Sequence, residues 1–169
     1  ASLLYPIFPC GEIDQDSDIG KKEVAIETLL AMESQCIFAA HYFAFHIAAV
    51  AARMGQVDRA LELLDRQVVL SRMENGFFSC MNRFQRTEIF AIESCPSPAT
   101  VINEMLLQSQ NDIIRIFPAT PGNWSVRFKK LLARGGFLVS ASHMFGSMEP
   151  GPRYNYVGGF HPVDPDSKK

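Results

Sequence analysis

Residues 34–52 read SQCIFAAHYFAFHIAAVAA, apolar on nearly every side and without formal charge, bracketed by Glu33 and Arg53. A helix that is apolar all round belongs in a large core or a membrane, because a surface helix shows only an apolar stripe. The stretch is about as long as a bilayer crossing, which takes roughly 20 apolar residues. Ala40, Ala44, Ala48 and Ala52 recur every fourth residue, a small-residue stripe that lets another helix approach closely. Gln35, His41 and His46 interrupt it, and polar groups are costly at bilayer depth. The expectation is a soluble core helix that the rest of the chain covers.

Helical periodicity extends on both sides. Before this stretch, Val24, Leu29, Leu30 and Met32 lead in from Lys21 with no Gly or Pro until Gly55, giving one long helix or two that abut near Glu33. After Gly55, strong helix formers carry Val57, Leu61, Leu64 and Val68 at the spacing of one buried face. Asn75 and Gly76 break the pattern, and a third helix is predicted from Phe77 through Phe78, Met81, Phe84, Ile89 and Phe90. Ser97 as N-cap with Pro98 at the first helical position opens a fourth, carrying Val101, Met105, Leu106, Ile113 and Ile114. A fifth is predicted over residues 123–134, with Trp124, Phe128, Leu131 and Leu132 on one face and Arg127, Lys130 and Arg134 on another. Residues 137–145 read equally as a short strand or a last helical turn.

The predicted fold is therefore all-α, a single-domain bundle of about five helices with irregular arms. Residues 1–22 form an irregular N-terminal arm whose acids Glu12, Asp14, Asp16 and Asp18 are expected to be solvated. Residues 23–145 form the helical domain. Residues 146–169, rich in Pro, Gly and aromatics, form an extended tail in which Tyr154, Tyr156 and Phe160 are the expected docking anchors.

With Gly55 as the turn glycine, Ile47 and Ala48 occupy large and small positions of a first helix, and Ala60 and Leu64 small and large positions of a second. Residues 44–70 thus resemble a single tetratricopeptide or pentatricopeptide repeat. Ala44 and Ala51 stand where such repeats usually carry aromatics, Gln67 where a small residue is usual, and Arg72 where the closing Pro is expected. The resemblance implies a helical hairpin of that style. Stacked repeats need neighbours to bury their faces, so a single copy does not imply RNA reading.

Composition narrows the function classes. Sixteen basic against eighteen acidic residues give a net charge of -2, which argues against a dedicated nucleic-acid binder. Cys10, Cys36, Cys80 and Cys95 include no CxxC, so neither a structural zinc site nor a disulfide scaffold is expected. A Cys36–Cys80 bridge across the hairpin is weighed against free buried thiols, which are favoured. The opening ASLLYPIFPC has neither a basic nor a long apolar signal region, so an intracellular protein is expected, with cytoplasm and organelle left open. No P-loop, GxSxG, GxGxxG, HExxH or ExxH motif occurs, so no catalytic residue, cofactor or metal is expected.

Three candidate functions remain. The favoured one is a non-catalytic helical subunit or adaptor held by other protein chains, with Trp124, Arg127, Lys130, Arg134, Tyr154, Tyr156 and Phe160 meeting the partner. The second is a small helical enzyme or cofactor carrier using His41, His46 or His143. Five helical residues separate His41 from His46, placing them about 140° apart and unsuited to sharing one metal. Ser140 and Ser142 beside His143 supply the residue types of a nucleophile and base. The third is a peripheral membrane protein laying the basic helix of residues 123–134 on an anionic surface.

Overall fold

The computed structural model of the chain describes residues 2–35, 41–79, 90–145 and 161–162, the last pair and positions 35, 41 and 42 by backbone alone. Among the described residues four α-helices form: α1 (Ile19–Gln35), α2 (His41–Arg53), α3 (Val57–Ser71) and α4 (Ser97–Leu106). Five strands form with them among those residues: β1 (Leu107–Gln108), β2 (Arg115–Ile116), β3 (Val126–Ala133), β4 (Phe137–His143) and β5 (His161–Pro162). The fold is mixed α/β, and the all-α five-helix bundle expected from the sequence is corrected on that ground.

Of the apolar stretch, Ser34 and Gln35 lie in α1 and residues 41–52 in α2, residues 36–40 being outside the described ones, and it is α2 that forms the centre. Phe45, Ile47, Val50 and the alanines from Ala48 to Ala52 are buried, packed with Leu29 of α1, Leu63 of α3 and Val101 and Met105 of α4. Gly55 ends α2 at φ 70°. Its N–H bonds to Ala52 O and the next N–H, of Gln56, bonds to Ala51 O, the paired closure that a left-handed residue after a helix provides. The chain then reverses into α3, whose fully buried face carries Ala60, Leu63, Gln67 and Ser71. Val57, Leu61, Leu64 and Val68 pack beside it, half-buried, so the buried face is turned from the one expected.

The third predicted helix does not begin at Phe77. Residues 77–79 are extended, with Phe78 bridged to Arg72 and Ser79 to Phe90, both antiparallel. Met81, Phe84 and Ile89 lie outside the described residues. The fourth helix starts with Pro96 rather than Ser97 at the cap, and it stops at Leu106 instead of continuing through Ile114. Leu107 turns extended, β1 pairs antiparallel with β2, and Asn111 and Asp112 carry the intervening loop through φ 55° and 58°. Asn and Asp adopt this left-handed region more readily than other non-glycine residues.

The predicted fifth helix is a strand. β3 pairs antiparallel with β4 around a turn in which Gly135 and Gly136 take φ 84° and 81°. β5 then adds to the other edge of β4. The sequence carries one apolar set that suits a helix and another that suits a strand with one extra residue. The pairing with β4 decides between them, because strand preference depends on the partner more than on the segment itself. The extra residue lies between Phe128 and Leu131, where two residues of β3 oppose Ser140 alone. Lys130 sits there at φ 56°, and its N–H bonds to Ser140 Oγ at 3.0 Å. A bulge shifts alternation by one. Phe128 faces inward before it and Ala133 after it, whereas Leu132, which unbroken alternation would point inward, is 67% exposed. The inward side chains join Leu107, Val139 and Ala141 in a second core with Phe117.

Candidate functional site

The N-terminal segment reaches the helices through two side chains of α2. Arg53, 6% exposed at the end of that helix, donates from Nε and Nη2 to the Glu104 carboxylate of α4 at 2.8 and 2.9 Å. Its Nη1 donates to Ile7 O at 2.8 Å and Pro9 O at 3.2 Å, and its guanidinium lies 4.7 Å over the Phe8 ring. Such a planar fork suits bidentate carboxylate pairing and aromatic stacking together. Gln108 completes the joint: its amide donates to Ala52 O, which also accepts from the Gly55 N–H, and to Glu104 O near the end of α4.

Two turns earlier on α2, His46 also contacts Phe8. Its Nε2 lies 2.7 Å from Phe8 O, and its ring meets Tyr5 and Phe8 edge-on at 5.4 and 5.6 Å. A carbonyl only accepts, so Nε2 carries the proton and Nδ1 is left as an acceptor. That Nδ1 is buried and has no hydrogen-bond partner among the described residues. Burial pushes the His46 pKa below the ordinary histidine value, with the Phe8 carbonyl acting in the opposite direction. The ring forms part of the wall of a cleft of about 320 Å³ bounded by Phe8, Phe45, Ala49 and Pro96, with Glu93, Ser97 and Thr100 supplying the polar groups. Ser97 Oγ donates to Glu93 O at 2.7 Å and Thr100 Oγ1 to Pro96 O at 3.2 Å, so both hydroxyl protons are already engaged.

The acids of the N-terminal arm are not uniformly solvated. Asp14, 2% exposed, accepts from Asn111 Nδ2 at 2.8 Å, Arg115 Nη2 at 3.2 Å, Asp16 N at 3.0 Å and Ser17 Oγ at 3.3 Å. Burial alone would raise its pKa, and these donors more than offset it, so the carboxyl lies below its usual range. Asp16 also pairs with Arg115. Asp18 accepts from the Lys21 N–H at 3.0 Å as the N-cap of α1, and that bond lowers its pKa. The capping role was readable from Asp18 directly before a helical pattern. The burial of Asp14 was not, because its partners lie nearly a hundred residues away.

The expected partner-binding residues fall in two groups. Trp124, 43% exposed, precedes β3; Arg127 and Lys130 are exposed on β3, and Arg134 is exposed in the turn after it. They share one hairpin but not the helix face expected of them. Tyr154, Tyr156 and Phe160 lie outside the described residues, as do Cys36, Cys80 and the side chain of His41. Cys10 and Cys95 are free thiols, one exposed and one half-buried. His143 packs its ring against Phe117 at 6.2 Å on the inward side of β4, whereas Ser140 and Ser142 alternate to the other side. The strand therefore separates the histidine from both hydroxyls. Among the described residues no three of His, Cys, Asp and Glu gather as a metal site would require. No helix among them is long and apolar enough to cross a membrane. The in-plane basic helix expected to meet an anionic membrane surface is not formed. Comparison with protein-family models gives no match, and comparison with curated proteins gives none either.

Proposed function

We propose that the chain is a non-catalytic docking unit held within a larger protein assembly, with the outward face of the β3–β4 hairpin as its principal contact. The observation that carries this reading is the make-up of that face. Arg127, Lys129 and Lys130 stand exposed between Trp124 and Leu132, with Arg134 at the turn, and no acid occurs from residue 113 to residue 148. Protein interfaces are enriched in aromatic and arginine side chains such as Trp124, Arg127 and Arg134. The basic centre suits an acidic protein surface. Exposed apolar side chains elsewhere fit the same reading, among them Ile19, Val24 and Leu30 of α1 and the 73% exposed Ile92. The α2–Gly55–α3 pair, with Ala48 and Ala60 fully buried, serves in this proposal as the repeat-style hairpin on which the docking surfaces are mounted.

Photo-crosslinking in cells tests it. A photoreactive residue at Leu132 is expected to give a discrete protein adduct that the charge reversals Arg127→Glu and Lys130→Glu abolish, while the same residue at exposed Glu62 of α3 gives none. A folded chain that crosslinks at neither position contradicts the proposal.

A further inference from the structure

We propose, on the footing that the β3–β4 face is the chain's docking surface, that its occupant is α1 of a second copy of this chain. Glu23 and Glu27 then face Arg127 and Lys129, and Leu30 faces Leu132.

α1 carries apolar side chains on two sides. Ala25 and Leu29 lie in the core, whereas Ile19 is 73%, Val24 64% and Leu30 42% exposed. Steps of about 100° per residue gather Ile19, Glu23, Glu27 and Leu30 in one stripe about 80° wide, on the side away from Ala25 and Leu29. The stripe reads apolar, acid, acid, apolar, and all four residues are exposed. The hairpin face repeats that order with the charge reversed. Trp124, 43% exposed, is followed by Arg127 and Lys129, both on the side of β3 opposite the buried Phe128, and then by Leu132, 67% exposed. The spacing agrees as well. Glu23 and Glu27 stand about 6 Å apart along the helix, and Arg127 and Lys129 about 7 Å apart along the strand. No ion pair among the described residues engages any of these four charges, and Lys21 of α1 is turned to Asp18. Complementary charges of this kind set which surfaces meet and in what register, and the apolar ends add burial.

Sedimentation velocity of the full chain at low ionic strength tests the pairing. The chain is expected to associate reversibly, and raising the salt from about 0.05 to about 0.5 M is expected to weaken association about tenfold by screening the charges. Two reversals of exposed charge, Glu23→Lys with Glu27→Lys and Arg127→Glu with Lys129→Glu, are each expected to weaken it about tenfold or more with an unchanged circular dichroism spectrum. Mixing the two variants is expected to restore association to within about threefold, because each stripe then finds a face of opposite sign on the other variant. Association that survives either reversal unchanged, a mixture that stays monomeric, or a chain that is monomeric at every concentration overturns the proposal. A Leu132 photo-crosslink that captures another protein and never a second copy also overturns it while leaving the docking role standing. No crosslink at Leu132 overturns both.

Discussion

Arg53 and Glu104 meet side-on through two hydrogen bonds of 2.8 and 2.9 Å, joining the end of α2 to α4 at a point where both side chains are largely withdrawn from water. The same guanidinium holds two carbonyls of the N-terminal segment, so one residue ties three parts of the chain together. Removing one member of a buried pair strands the other, at about 3–5 kcal/mol. Arg53→Ala is expected to lower stability by about that amount in urea denaturation. The double substitution Arg53→Met with Glu104→Leu is expected to recover most of the loss, since an apolar pair strands no charge. A loss below about 1 kcal/mol for Arg53→Ala, the range of an exposed pair, would show that the bridge is solvated.

Gly55 makes a second, local prediction. A β-carbon there would occupy the left-handed region and lie 3.0 Å from Gln15 Oε1. The conformational term costs about 1–2 kcal/mol. Gly55→Ala is expected to lower the denaturation midpoint accordingly, and no change would mean that the turn between α2 and α3 relaxes freely.

Lys130 predicts a gain. It holds the bulge at φ 56°, so Lys130→Gly is expected to stabilise the hairpin by about 1 kcal/mol by removing left-handed strain. Lys130→Val, with a branched β-carbon, is expected to destabilise it. Thermal melts of the three proteins give the order Gly above Lys above Val; any other order contradicts the bulge.

For His46 the sign follows from the direction of its shift. Its pKa in the folded chain lies below the ordinary 6.5. As pH falls below the unfolded value, the unfolded chain takes up a proton that the folded chain resists, and stability decreases until the folded pKa is passed. Denaturation midpoints are therefore expected to fall between pH 7.5 and 5.5 by more in the unmodified chain than in His46→Gln, which cannot titrate. Equal falls would place His46 in a solvated setting.

The helical half of this architecture was legible because α2, α3 and Gly55 obey local rules: an uncharged apolar run, strong helix formers and a turn glycine. The β half was not. The segment VRFKKLLA offers Phe128, Leu131 and Leu132 to a helix as readily as it offers Phe128, Leu131 and Ala133 to a bulged strand. Only the register with β4 separates the two. Trp124, Arg127, Lys130 and Arg134, expected on two faces of a helix, are instead exposed on and beside a hairpin. The His46 cleft stayed hidden for a different reason. Its walls come from residues 8, 45–49 and 93–100, and no periodicity joins segments that far apart.

The docking reading is tested most directly by sedimentation velocity of the isolated chain across a wide concentration range, beside a variant carrying Val24→Lys, Leu132→Lys and Phe145→Ser. Exposed apolar faces that normally meet other protein are expected to make the isolated chain associate as concentration rises, and the triple variant is expected to remain monomeric with the same circular dichroism spectrum. A folded chain that stays monomeric at every concentration without the substitutions would contradict the account.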